Sequence, residues 1–270
     1  MIVLFKQVHQ SDRVLSVTGW LLIFWVFFGL CAAPWDESAL IQGATHPWAK
    51  LIRYGAGLAL HTWAMALFLG HLTECPPTLR KVARWGIAVS ALATAGAIAA
   101  QAIRGVPSHY NVATGTDTVL FGILSAATLA SCGFVLLLLF LYLWVEVDQP
   151  RAYVMGIRLG FVLFIIGSLG GMLMIVNQAH TFGAPDGGPG LPLLSWSTRA
   201  GDLRAAHLAG VFAIQLLPLA GWLIGRAMKD RQINVQLGAV TAVALAWVWL
   251  FRTLMIQAVA GRPVLSAAGL

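Results

Sequence analysis

The sequence predicts an all-α polytopic membrane protein, a bundle of seven transmembrane helices in a single integral membrane domain. Three observations carry that prediction. Of 270 residues, 59% are hydrophobic and only 10% charged, whereas a soluble domain carries roughly a quarter charged residues. Mean hydropathy is +0.81. The apolar residues also gather into runs near the roughly 20 residues that cross about 30 Å of hydrocarbon. A soluble enzyme, a nucleic-acid binder and a disordered hub are excluded on these grounds.

Seven segments qualify as spans: 15–34, 50–72, 82–103, 117–144, 152–176, 203–225 and 234–259. The first follows Lys6 and Arg13 and ends in Cys31-Ala32-Ala33, which resembles a secretory signal with a small-residue cleavage site. Its length and its aromatic content (Trp20, Phe24, Trp25, Phe27, Phe28) favour a retained helix, because a signal core usually runs about 7–15 residues. The third span is Ala-rich, and the fifth carries Gly167 and Gly171 as a small-xxx-small pair. Such residues let backbones approach where lipid offers no hydrophobic drive for association.

Orientation follows from the basic residues. With the N-terminus inside, ten Lys and Arg lie on the cytoplasmic side, six lie outside, and Arg252 falls within the last span. The odd span number puts the C-terminus outside. This bias also accounts for the net charge of +7 without a nucleic-acid partner. The expected setting is a bacterial inner membrane, with the lipid bilayer and other membrane subunits as partners. Cys31, Cys75 and Cys132 fall at different depths, so no disulfide is expected.

The polar residues are uneven. His46, His109, His180 and His207 belong to the outer half under this topology, and His61 lies near the middle of span two. Gln101, Asn111, Asp117, Asn177, Gln178, Asp186, Asp202 and Trp196 share the outer side. Intramembrane polar groups normally face the bundle interior or a cavity. At about 100° per residue, four stripes form that lipid would not welcome. They are Tyr54–His61–Met65–Phe68, Ser90–Thr94–Ala97–Gln101, Gly167–Gly171–Met174–Gln178 and Arg204–His207–Val211–Gln215. All four are expected to point inward, around a site open to the extracytoplasmic side. The loop 177–202 is rich in turn-forming residues from His180 to Gly190 and then apolar from Leu191 to Trp196. It reads either as a lid or as an interfacial loop anchored by Trp196, with Asp202 as N-cap of the next helix.

Several chemistries fail on the residues. Every lysine lies near a span end, so a retinal Schiff base has no partner, and no zinc-protease, nucleophile-elbow or Walker A motif occurs. Haem b remains, with His61 and His207 as axial ligands, methionines as alternatives and Arg252 as a propionate partner. The two histidines differ in depth by roughly 10 Å at 1.5 Å per residue. A copper or iron site from His109, His180 and His207 with Asp186 or Asp202 competes, although no local ligand spacing marks it. The expected function is therefore a haem-binding or metal-binding redox protein or enzyme. A small-solute or anion transporter uses the same residues differently, but polar positions thin out in the inner half. A structural subunit packed through tryptophans is the third reading.

Overall fold

The computed structural model describes residues 2–36, 46–191 and 194–265. Its described residues form eight α-helices and one small antiparallel ladder. In chain order these are α1 (Ile2–Ser11), α2 (Arg13–Ala32), α3 (Pro47–Gly70), α4 (Pro77–Ile103), α5 (Gly115–Trp144) and α6 (Arg151–Asn177). After β1 (Thr181–Phe182) and β2 (Gly201–Asp202) come α7 (Leu203–Ala227) and α8 (Ile233–Val259). Six helices are long and apolar enough to cross a membrane: α2 with the short 3-10 turn that follows it, α4, α5, α6, α7 and α8. The protein is thus an integral membrane protein by its helices.

Two details differ from the sequence reading. The segment before the first span is itself helical: α1 stops at Ser11, and Asp12 alone separates it from α2. Asp12 is extended, and its carboxylate accepts from Leu15 N at 3.1 Å, which makes it the N-cap of α2. The second expected span is present as the 24-residue α3 but is not among the six apolar helices. Lys50, Arg53, Tyr54 and His61 lower its mean hydropathy.

The chain divides into two compact units, residues 1–141 and 142–270. In the first, α3 lies antiparallel along α2. At one end Trp48 Nε1 donates to Asp36 at 3.1 Å, and at the other Trp63 Nε1 donates to the Ser16 carbonyl at 3.2 Å. Between these ties Leu22, Ala59, Ala91 and Ala95 form a core shared by α2, α3 and α4. A second cluster joins Trp48 and Leu51 to Ala97, Ile98, Ala102 and Leu124. The alanines of α4 are what allow its tight enclosure, and 61% of its apolar stretch is buried.

In the second unit α6 and α7 meet backbone to backbone. A Cβ on Gly167 would lie 2.5 Å from Gly210 Cα, and one on Gly156 would lie 2.3 Å from the Leu217 carbonyl oxygen. Gly221 meets the Ala152 carbonyl in the same way, at 2.3 Å. The small-residue pair read from the sequence is therefore a packing seam, and it extends along most of both helices. Met174, Leu203 and Ala258 close the end of this unit that carries the β ladder.

Candidate functional site

Three polar clusters occupy the end of the first unit where α2 ends and α3 begins. Asp117, buried in the first turn of α5, accepts from Gln101 Nε2 at 3.0 Å, Arg104 Nη1 at 2.6 Å and Thr114 Oγ1 at 2.6 Å. This network ties the end of α4 to the start of α5. Gln101 and Asp117, which the sequence placed on the site side, are thereby occupied in a structural contact. Beside it, His109 hydrogen bonds through Nε2 to the Tyr54 hydroxyl at 3.2 Å and through Nδ1 to the Ser108 hydroxyl at 3.0 Å. His46 Nε2 pairs with Asp36 at 3.3 Å while its Nδ1 accepts from Trp48 N. His61, near the middle of α3, is buried with Thr62 and Met65.

The second unit carries an ordered polar cap between α6 and α7. β1 pairs with β2, and Gly190 bridges to Ser197, so the described part of the long loop is a folded structure. Pro192 and Leu193, part of the stretch expected to dip into the interface, lie outside the described residues. Asp186 organises the first half: it accepts from the His180 backbone N at 2.9 Å, His180 Nδ1 at 2.6 Å, Thr181 N at 3.0 Å and Thr181 Oγ1 at 2.7 Å. Burial alone would raise the pKa of Asp186, but these hydrogen bonds and the His180 partner outweigh it and hold the carboxyl well below its ordinary value. Asp202 organises the second half. Its fully buried carboxylate takes Ser197 N at 2.8 Å, Arg204 N at 3.0 Å and the Arg204 guanidinium at 2.6 Å. The guanidinium also donates to the Ser195 carbonyl. Asp202 is thus the N-cap the sequence expected, with an ion pair added.

Below this cap His207 spans the glycine seam. Its Nδ1 donates to the Gly167 carbonyl at 2.8 Å, and its ring lies over Gly171, where a Cβ would sit 2.9 Å from Cε1. Because a carbonyl only accepts, the proton of the neutral ring is on Nδ1 and the lone pair on Nε2. An imidazole anchored through one nitrogen to a backbone carbonyl, with the other a free base, is the form in which histidine binds metals.

His61 and His109 belong to the first unit; His180, His207 and Arg252 belong to the second. His109, His180 and His207 each engage a different polar partner, and among the described residues no group of three His, Cys, Asp or Glu could hold a metal ion. Arg252 is exposed on α8. Tyr54 and Gln178 are likewise exposed, while the whole α4 stripe, Ser90, Thr94, Ala97 and Gln101, is buried as expected. The sequence missed Thr181 and Ser197 as cap-forming residues, and only their proximity to Asp186 and Asp202 hinted at such roles. The three cysteines are free. Comparison with known proteins finds no matching family, no matching curated protein and no matching solved structure.

Proposed function

We propose that this is a seven-span inner-membrane protein of bacterial type that binds haem through His207 in its extracytoplasmic half and serves a redox role. The observation that carries the reading is the 2.8 Å bond from His207 Nδ1 to Gly167, which fixes the ring and leaves Nε2 as a ligand. Haem is favoured over a bare copper or iron ion because the porphyrin supplies four of the iron's ligands. One or two protein ligands then suffice, where a non-haem site draws three or more from the chain. When bound, the group would supply one-electron chemistry. His207 would hold it, and the glycine seam would keep the ring from turning. The reading makes no use of Arg252.

The seventh span in this proposal is α3. Its support is that α3 runs antiparallel beside α2 from the Asp36 end to the Ser16 end, so a bilayer crossed by α2 is crossed by α3 as well. The basic residues then place the N-terminus inside and the C-terminus outside. A C-terminal alkaline phosphatase fusion should be active and a C-terminal green fluorescent protein fusion dark; the reverse pattern would refute this topology.

The deciding experiment is an absorption spectrum of detergent-purified protein, oxidised and dithionite-reduced, with elemental analysis of the same sample. A Soret band that shifts on reduction is expected, and it should vanish in His207→Ala while surviving in His61→Ala. Survival in His207→Ala would sink the assignment to His207. Stoichiometric copper or iron without a Soret band would move the site to His109 or His180. A colourless, metal-free protein active in anion flux across liposomes would replace the redox reading with transport.

A further inference from the structure

We infer that the outer face of the last two turns of α8 binds an acidic phospholipid. The inference is independent of the haem reading. Helix α8 packs on α6 and α7 along one stripe only. Val240, Ala244 and Ala258 are buried, Trp247 Nε1 donates to the Ala209 carbonyl at 2.8 Å, and Met255 lies against Gly170. Only 11% of its apolar stretch is buried. At 100° per residue, Arg252, Thr253, Ile256, Gln257 and Ala260 fall within a sector of about 140° on the other side.

That sector is not a smooth lipid-facing surface. Thr253, Ile256, Gln257, Ala260 and Arg262 line a groove of about 350 Å³. Ile256 and Ala260 supply its apolar part, and Thr253, Gln257 and Arg262 its polar part. Gln257 Nε2 donates to the Pro263 carbonyl at 2.6 Å, which folds the segment carrying Arg262 back along the helix end. Arg252 stands one turn before Ile256 in the same sector of the helix, and both Arg252 and Arg262 are exposed. The carboxylates in the described ion pairs are Asp12, Asp36, Asp117, Asp186 and Asp202, and all of them are matched to Arg84, Arg104, Arg204, His46 or His180. Neither Arg252 nor Arg262 has an acidic partner among the described residues.

An arginine in an apolar span needs an anion or a path to the interface. Arg252 lies seven residues before the end of α8, about 11 Å at 1.5 Å per residue, a depth from which a long basic side chain snorkels to the interface. A ligand that satisfies both arginines and the apolar part of the groove has a negative head and an apolar tail. In a bilayer the abundant molecule of that kind is an acidic phospholipid, with its phosphate at the guanidiniums and an acyl chain along Ile256 and Trp249.

The test is lipid retention by the full-length protein. Protein is purified in detergent, equilibrated with an equimolar mixture of phosphatidylglycerol and phosphatidylcholine, and weighed with its bound lipid by native mass spectrometry. Wild type should retain phosphatidylglycerol over phosphatidylcholine by about fivefold or more. The Arg252→Gln/Arg262→Gln variant should fall to within about twofold, and Arg252→Lys/Arg262→Lys should keep most of the preference. Lys229→Gln/Arg231→Gln removes the same charge near the start of α8 and should behave as wild type. The proposal is overturned if the wild type shows no preference, if the glutamine variant keeps it, or if the control variant loses as much. Displacement of the lipid by millimolar inorganic phosphate would also overturn it, because the site would then be one for free anions. Circular dichroism of each variant reports whether the helices are intact.

Discussion

In the first unit α4 packs with α2, α3 and α5, and at its end Gln101 and Arg104 are matched side chain to side chain with Asp117. In the second unit α6 and α7 touch along their backbones, and the polar contact across them runs from a side chain to a carbonyl, His207 to Gly167. Glycine makes the difference. Where Gly156, Gly167, Gly210 and Gly221 bring two helices together, main-chain carbonyls become reachable by a neighbouring helix. Where alanines and larger residues hold helices further apart, a long side chain bridges the gap, as Trp63 does to the Ser16 carbonyl. A helix pair of the second kind is closed by ion pairs at its ends, and one of the first kind can hold an imidazole in its middle.

This contrast can be broken most severely at the seam. Gly167→Leu would drive its side chain into the Gly210 backbone, which has no rotamer to yield. A loss of about 3 kcal/mol or more is expected, read as a large fall in the thermal unfolding midpoint in detergent. Gly238→Ala on α8, where nothing lies within 4 Å, should leave the midpoint unchanged or raise it. If both variants behave alike, the seam is not what holds α6 to α7.

The first unit's counterpart is the ion pair of Asp12 with Arg84, 2.6 Å apart. Arg84→Ala strands a fully buried carboxylate and should cost about 2–3 kcal/mol, less than a fully buried pair because Arg84 is 29% exposed. Asp12→Asn keeps a helix cap and should cost less than Arg84→Ala by the same measurement. A larger loss for Asp12→Asn would mean that the cap, and not the pair, depends on the charge.

A smaller effect is expected at His207. His207→Ala removes one interhelical hydrogen bond, about 1 kcal/mol in cofactor-free protein. A loss several times larger would show that the ring also carries packing against Gly171.

The mildest test concerns the cap. The folded-state pKa of Asp186 is lowered, so its contribution is fully present above the unfolded value of about 3.9 and fades as pH falls through the folded value. Hydrogen exchange in residues 180–186 should therefore be slow and level from neutral pH down to about pH 4, once corrected for intrinsic rates, and accelerate below it. Asp186→Asn should show the faster exchange already at neutral pH. A wild-type transition near neutrality would assign the cap's stability to a different group.

Much of this was legible in the sequence. The six apolar helices appear close to the predicted boundaries, and Asp202 caps α7 as expected. Gly167 and Gly171 were read as packing residues, which they are. Helix α3, expected as a span, falls outside the six apolar helices, although its His61 and Thr62 are buried against protein. Helical periodicity gave the α4 stripe correctly because α4 is surrounded on most sides. It says nothing of α8, where a helix packed along one narrow stripe leaves most of its circumference exposed, Arg252 included.

The sequence by itself determined the solvent and the architecture. Apolar runs of span length, with few charges, have no stable arrangement in water and few in lipid other than helices, because backbone groups must be satisfied within the segment. Tertiary structure decided partnership. Asp12 with Arg84, Asp186 with His180 and Asp202 with Arg204 are contacts whose geometry depends on how loops fold and helices register. The His207 bond is the clearest case. It depends on a carbonyl forty residues earlier being brought within reach, and that proximity exists only because the glycines of two helices face each other across the seam.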